Sequence, residues 1–384
     1  MTVSIRFGAL LRTATNSLFG SLLIVSLCST ACGDHVWHSN RGGRHTRPPP
    51  GEWLKGDLHL HSSHSTDALD NPMHEVIAKA EAFGMDYFTF TDHDNHVSGN
   101  ITTWDDPAHV SDRMLTLFGA EYTTARAHVN FFSAARWEHL ALWALRDGEA
   151  KPYLDEAHRQ GLHASINHPF SGDPWEHSFD LDFDSIEIWN ALVFLPGNGE
   201  TVKKWDELLS NGRRIPGRGG SDVHHQQGPE STILNVGNPT TWIRARSRSA
   251  ESILEALAAG HVSISYAPLA ERIDFTADAD GDGEHEMIMG ENLVSRGKSI
   301  EFRVEIAGFR DGATYRVTVI KNGARFREVA LTQPSTTFED TPAKGERAYY
   351  RVEVRGDTPE VPSNFAALYA GLIGMTNPIY VGYE

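Results

Sequence analysis

Gly56-Asp57-Leu58-His59-Leu60-His61 closes the first β-type run of the chain with two histidines two residues apart. Side chains alternate between faces in an extended backbone, so residues two apart share a face and both imidazoles project to one side. The pattern returns downstream. Thr91-Asp92-His93-Asp94-Asn95 ends a second run, Gly119-Ala120-Glu121 a third and Ile166-Asn167-His168-Pro169 a later one. Gly219-Gly220-Ser221-Asp222-Val223-His224 ends another, again with two potential ligands two apart. Histidines and acids thus gather at the C-terminal ends of the expected strands.

From Trp53 to about Tyr266 these runs alternate with helical patterns, the signature of parallel strands joined by helical crossovers. Asn71 is placed to cap a helix that Pro72 opens; Met73, Val76, Ile77 and Ala80 form its apolar stripe and Gly84 ends it. Strands are expected at Tyr87 to Thr91, Thr116 to Ala120, Val129 to Phe132, His163 to Ile166 and Ser185 to Trp189. A further helix, capped by Ser249, carries Ile253, Leu254 and Leu257 and stops at Gly260. The natural closure is an α/β barrel, whose strand C-termini meet at one face and bring sequence-distant ligands together. After about Ala270 the pattern changes to spaced strands, Ile300 to Ile306, Tyr315 to Ile320 and Tyr349 to Val354, with an Asn322-Gly323 turn. That reads as a smaller all-β, sandwich-like domain over 270–384, following a metal-site domain over 52–269.

The 384 residues accommodate two such domains, and the formal charge of −17 disfavours loose binding to duplex nucleic acid, which needs clustered Lys and Arg. Imidazole and carboxylate mixtures suit Zn²⁺, Mn²⁺ or Fe²⁺, and so many ligands call for more than one ion. Other hydrolytic chemistries lack their parts: the sequence has no Gly-x-Ser-x-Gly elbow and no phosphate-loop lysine motif, and both cysteines lie near the amino terminus. Water activated by metal is the nucleophile that remains.

These strings closely resemble the PHP (polymerase and histidinol phosphatase) superfamily, over the span from Trp53 to Tyr266. The resemblance implies a distorted (β/α)₇ barrel holding two or three divalent ions. Its implied ligands are His59, His61, Asp67, His93, Glu121, His128, His168, Asp222 and His224, with Glu121 bridging ions and Glu121, His168 and Asp222 serving catalysis. His64 and Asp70 compete with Asp67 for the position after the paired histidines, and His128 is the ligand that a purely structural histidine would most easily replace. The Gly237-Asn238-Pro239-Thr240-Thr241 to Ser265 run and the Thr376-Asn377-Pro378-Ile379-Tyr380 ending resemble a secreted, carbaryl-hydrolase-like branch. The implied activity is phosphoester hydrolysis of a nucleotide, short oligonucleotide or sugar phosphate. The branch also admits carboxylic or carbamic esters, and a metal-holding binding module without turnover is the reading from another class.

Around the motifs several roles stay open. Asp92 and Asp94 either orient ligand imidazoles or cap a turn. Arg126 and Arg218 either clamp a substrate phosphate or form ion pairs. Glu187 and Asn190 end a strand without revealing which face each occupies. Asp278-Ala279-Asp280-Gly281-Asp282-Gly283 suggests Ca²⁺ held by Asp278, Asp280 and Asp282, although Met289 stands where a full helix–loop–helix calcium loop needs Glu.

The first residues carry an address. Arg6 and Arg12 precede an apolar run from Leu18 to Leu27, and Ser29-Thr30-Ala31-Cys32-Gly33 resembles a bacterial lipoprotein processing site. Residues 1–31 are therefore expected to be removed as a signal peptide and Cys32 to be lipidated. Residues 32–51 then form a polar tether that places the protein on the cell envelope, with the bilayer as a partner. Cleavage removes two cationic residues, taking the formal charge from −17 to −19, and leaves Cys32 without a disulfide partner. Cys32→Ser is expected to move the protein from the membrane to the soluble fraction; equal partitioning of variant and parent after fractionation would refute the anchor.

Overall fold

The computed structural model describes residues 51–94, 100–191, 197–225, 235–359, 361 and 371–383. The expected signal peptide, Cys32 and all of the tether but Gly51 lie outside the described residues. No helix among the described residues is long and apolar enough to cross a membrane.

Among the described residues, ten strands and five α-helices build the first part of the fold. In order they are β1 (Glu52–Asp57), α1 (Met73–Ala82), β2 (Tyr87–Phe88), β3 (Leu115–Thr116), β4 (Phe118–Thr124), β5 (Ala127–Ser133), α2 (His139–Trp143) and α3 (Ala150–Arg159). Then follow β6 (His163–Ile166), β7 (Ser185–Asn190), α4 (Asn198–Ser210), β8 (Gly217–Gly220), β9 (Thr240–Ala245), α5 (Ala250–Ala259) and β10 (Val262–Ser265). β1, β2 and β3 pair in parallel, β4 to β8 form a five-stranded sheet, and the two sheets meet at both edges. On one side His61 N donates to Val223 O and Asp222 N to His59 O, extending β1 alongside β8. On the other Leu117 N donates to Phe88 O and Glu121 N to Asp92 O. The strands thereby form a ring with histidines at the C-terminal ends of its parallel strands and, because β5 runs the other way, His128 at the start of β5.

Local sequence explains much of this. Met73, Val76, Ile77 and Ala80 form the buried face of α1 as their spacing demands. Ser249 Oγ accepts from Ser252 N at the start of α5, and Gly260 ends it in the left-handed region at φ 78°. Asn71, in contrast, does not cap α1: the cap position falls on Pro72, and the Asn71 amide donates instead to His61 O at 2.7 Å, tying the loop to the end of β1. The ring also departs from strict strand–helix alternation. β4 and β5 form an antiparallel hairpin through the short Ala125-Arg126 turn, and β5 pairs antiparallel with β6.

The C-terminal region is strand-rich: β11 (Arg272–Asp278), β12 (Met287–Ile288), β13 (Asn292–Leu293), β14 (Ile300–Ala307), β15 (Tyr315–Lys321), β16 (Ala324–Leu331), β17 (Ser335–Asp340), β18 (Ala348–Arg355), β19 (Leu372–Thr376) and β20 (Ile379–Val381). β12, β11, β14 and β17 form one sheet in that order. The strict inward–outward alternation of β14 gives that sheet one buried face. Phe302 on β14 packs against Tyr350 on β18 with ring centroids 4.5 Å apart, joining it to the second layer. Asn322 and Gly323 adopt φ of 51° and 77°, forming the turn their dipeptide anticipates between β15 and β16.

The second layer does not stop at residue 270. β19 pairs antiparallel with β10, so β13, β20, β18, β19, β10, β9, β1, β2 and β3 follow one another in a single sheet. Two further locks cross the same line. Asn377 is fully buried and its amide serves as a strand partner, accepting from Gly217 N at 2.8 Å and donating to Gly217 O at 2.7 Å. Arg351 is buried and grips Asp206 of α4 with two hydrogen bonds of 2.8 Å. Removing the carboxylate costs the buried guanidinium two charge-assisted hydrogen bonds and leaves it Glu353, at 2.8 Å, as its charged partner, so Asp206→Ala is expected to lower stability by about 2 kcal/mol. Denaturant titration would check it, an unchanged midpoint being the contrary result.

Candidate metal centre

One carboxylate stands where the strand ends converge. Glu121 is fully buried in β4, and its two oxygens face two groups of imidazoles. Oε2 lies 3.4 Å from His59 Nε2, 3.3 Å from His61 Nε2 and 3.0 Å from His93 Nδ1. Oε1 lies 3.0 Å from His128 Nδ1 and 3.5 Å from His168 Nε2. Asp222 Oδ1 is 3.2 Å from His59 Nε2 and 3.1 Å from His61 Nε2. Asp67 Oδ2 is 3.2 Å from His93 Nε2 and 3.4 Å from His224 Nε2. Every residue of the ligand set implied by the sequence is brought into this one cluster. His64 and Asp70 are not: His64 bonds Thr102 and Asp106, and Asp70 bonds His225.

The backbone bends to make the cluster. His168 and Asp222 adopt φ of 21° and 51°, a region that side chains other than glycine rarely enter and that tends to be held at functional sites. Gly220 has no room for a side chain, since a Cβ there would lie 2.3 Å from Glu187 Oε1 and 2.5 Å from His59 Cβ.

The imidazoles are oriented from behind. His59 Nδ1 donates to Glu187 Oε1 at 2.9 Å, His224 Nδ1 to Asp222 O at 2.9 Å and His168 Nδ1 to Ser171 O at 3.3 Å. His61 Nδ1 lies 3.3 Å from Ser65 Oγ, which itself donates to Asp92 Oδ1. Each of these rings thus spends Nδ1 on an acceptor and turns Nε2 inward, the arrangement that fixes tautomer and aim in metal-ligating histidines. The donors fit divalent cations. His59 Nε2, His61 Nε2, His128 Nε2 and Glu121 Oε2 are buried and make no hydrogen bond. Donor atoms lie within 4.8 Å of one another in the groups His61–His93–His224, His59–His61–Asp222, His59–His168–Glu187 and Glu121–His128–His168.

The charges hold one another in place. Burial opposes ionisation of Glu121 and Asp222, but the surrounding imidazoles outweigh it and hold both carboxyls well below the usual range. Burial likewise opposes charge on His59, yet Asp222, Glu187 and Glu121 raise its pKa well above the ordinary value. For His93, burial is outweighed by Glu121 and Asp67, and the pKa rises to about 10. His224 goes the other way: burial and the neighbouring His61 lower it.

The residues whose roles the sequence left open now have positions. Asp92 accepts from Ser62 N, Ser62 Oγ, Ser65 Oγ and Thr103 Oγ1, so it shapes the loop after β1 and reaches His61 only through Ser65. Asp94 accepts from Thr123 N in β4. Glu187 and Asn190 both face the centre because a register shift between Glu187 and Trp189 brings positions three apart to the same side. Asn190 Nδ2 donates to Glu187 Oε2 and Asp222 Oδ2, each at 3.1 Å.

Both arginines have protein partners. Arg218 is fully buried, bonding Ser165 Oγ at 2.6 Å, Glu187 Oε1 at 2.8 Å and Asn167 Oδ1, so it braces the carboxylate that holds His59. Arg126 lies in the β4–β5 turn and pairs with Glu149 at 3.2 Å and Glu176 at 3.7 Å, the surface ion pairs of the alternative reading. Asn167, to which the sequence gave no role, donates to Glu121 Oε1 at 2.7 Å; its place directly before His168 was the available signal.

Residues 57–165, which include His59, His61, Asp67, His93, Glu121 and His128, match the family model of the PHP domain. No curated protein matches the chain. Among solved structures, a two-domain protein from Bacteroides vulgatus containing a predicted PHP-like metal-dependent phosphoesterase is similar at 16% identity. That similarity covers 82% of this chain and 95% of that one, with a TM-score of 0.38. An engineered protein is similar at 11% identity over 82% of this chain and 80% of that one, with a TM-score of 0.18.

A ligating nitrogen must be unprotonated, whereas the metal-free His93 keeps its proton up to about pH 10. Metal uptake near neutral pH is therefore expected to release protons, and apparent affinity to rise with pH towards that value. Calorimetry in two buffers of different protonation enthalpy measures the release; identical heats in both would contradict it.

Proposed function

We propose that the chain is a metal-dependent phosphoesterase of the PHP type, acting on a small or short phosphoester through a centre of two or three Zn²⁺, Mn²⁺ or Fe²⁺ ions. The observation that carries this reading is Glu121, fully buried with one oxygen towards His59, His61 and His93 and the other towards His128 and His168. Few arrangements other than a shared cation site account for one carboxylate among that many imidazoles. In the same reading the ring of β1 to β8 is the distorted (β/α)₇ barrel, and the paired C-terminal sheets are its sandwich-like companion.

When bound, the ions supply Lewis acidity and lower the pKa of water. The residues of the chain do the rest. His59, His61, His168 and Glu121 fix the buried side of the centre. Asp67, His224 and Asp222, with side chains 46%, 26% and 21% exposed, form the side that solvent and substrate reach. Asp222 stands at that opening with His168 Nε2 3.8 Å behind it, so Asp222 is placed to accept a proton from water and His168 to support the substrate oxygen from the buried side. Asn190 keeps Asp222 aimed, and Glu187, braced by Arg218, keeps His59 from turning.

A second reading follows from the two arginines. Arg218 is committed to buried acceptors and Arg126 is engaged by two surface carboxylates, which leaves most of the substrate charge to the ions and suits an uncharged carboxylic or carbamic ester equally well. Attachment to the cell envelope through a lipid on Cys32 belongs to the same proposal and rests on the sequence around that residue.

The protein loaded with Mn²⁺ or Zn²⁺ is expected to hydrolyse phosphomonoesters or phosphodiesters and to lose activity on chelation. His59→Ala with His61→Ala, and separately Glu121→Gln, should lower both metal content and turnover. Glu187→Gln, which loosens His59 without removing a ligand, should cost about 10- to 100-fold in metal affinity or turnover. Cleavage of carbamate or aryl esters without any phosphoester would select the second reading. Stoichiometric metal binding without turnover on either class would make this a binding module.

A further inference from the structure

The turn joining β11 to β12 reads Asp278-Ala279-Asp280-Gly281-Asp282-Gly283-Glu284-His285-Glu286. It brings carboxylate oxygens of Asp278, Asp280, Asp282 and Glu286 within 4.8 Å of one another. Gly281 and Gly283, at φ of 83° and 93°, let the chain curl around the space between them. An acidic turn of this kind is common on protein surfaces and needs no ion. Glu286 separates this one from the common case. It is only 4% exposed, and while its Oε1 accepts from Ala279 N at 3.1 Å, its Oε2 is buried with no hydrogen bond, in a carboxylate that stands with those of the three aspartates. Burial and the neighbouring Asp280 and Asp278 charges disfavour its ionised form and raise its pKa, a cost that a bound cation would remove.

We propose that this turn is a Ca²⁺ site, distinct from the imidazole centre, with Asp278, Asp280, Asp282 and Glu286 as its side-chain ligands. An all-oxygen set on a flexible turn selects a hard, large cation over the softer ions that imidazole prefers. Glu286 supplies the buried carboxylate that the sequence seemed to lack at Met289, because the turn closes into a β-hairpin rather than entering a helix. Asp278 is the rigid wall: it is 5% exposed and accepts from Gly281 N at 2.7 Å and from Gly283 N at 2.8 Å. Asp280 and Asp282 are exposed and give the ion its entry. The ion would clamp β11 to β12, and β11 carries Ile273, Phe275 and Ala277 into the core. Its role is therefore to hold the C-terminal sheet, independent of the chemistry at Glu121.

The test is calorimetric titration of Ca²⁺ into the full chain with the imidazole centre already saturated with Zn²⁺. One Ca²⁺ per chain is expected, with a Kd of about 10⁻⁴–10⁻³ M as in extracellular modules, together with a Ca²⁺-dependent rise in Tm. Asp280→Asn with Asp282→Asn, at exposed positions that folding does not need, should abolish both effects and leave Tm without Ca²⁺ unchanged. Glu286→Gln should weaken Ca²⁺ at least about tenfold, because an amide offers the ion no charge. Absence of uptake by the parent well above that concentration range would overturn the proposal, as would undiminished uptake by the double variant or equally tight binding of Mg²⁺.

Discussion

Charge buried among charge is the constraint on which the rest of the molecule depends. Glu121, His59, His61 and His168 are removed from water or nearly so, Asp222 is exposed only at its rim, and a lone ion in that setting would be very unfavourable. The cluster is tolerable because each charge has a partner: imidazoles keep the carboxyls ionised, and carboxylates raise several of the imidazoles. The pairing reaches outward in layers. His59 leans on Glu187, Glu187 on Arg218, and Arg218 on Asn167 and Ser165, so a guanidinium far from solvent ends up governing the aim of a ligand ring.

The scaffold obeys the same need for satisfied polar groups. Asp57, one turn of strand before His59, is fully buried and accepts from Ser221 N, His59 N and Gly237 N, joining β1, the end of β8 and the loop before β9. Asn377 does for β8 what a neighbouring strand would do, and it comes from the C-terminal region. The ligands thus stand on elements that are fixed from several directions, which is what holding multiple cations at set spacings requires.

Much of this was legible in the residues. Pairs such as His59/His61 and Asp222/His224 announce themselves because strand periodicity puts both on one face. The cap of α5 and the Asn322-Gly323 turn follow from local chemistry alone. What was hidden depends on partners distant in the chain. Asn71 looks like a helix cap until His61 O is seen to compete for its amide. Glu187 and Asn190 share a side only because a bulge resets the alternation between them, and no single-sequence pattern marks a bulge. Arg218 reads as a substrate cation from its neighbours in sequence, whereas its neighbours in space are buried acceptors. The change of pattern near Ala270 is real, but it says nothing of β19 pairing with β10 across it, since pairing partners leave no mark on composition.

That last pairing bears on how the chain reaches its native state. The Gly217 backbone in β8 is satisfied by Asn377, 160 residues further along, and β1 takes its antiparallel neighbour from β9. Contacts this distant close late and slowly, because loop entropy must be overcome before they stabilise anything. The strand that leads to Asp222 and His224 thus lacks its final support until Asn377 has been made. A chain still being synthesised up to that point would carry its histidines without that support, and the centre would form late in folding.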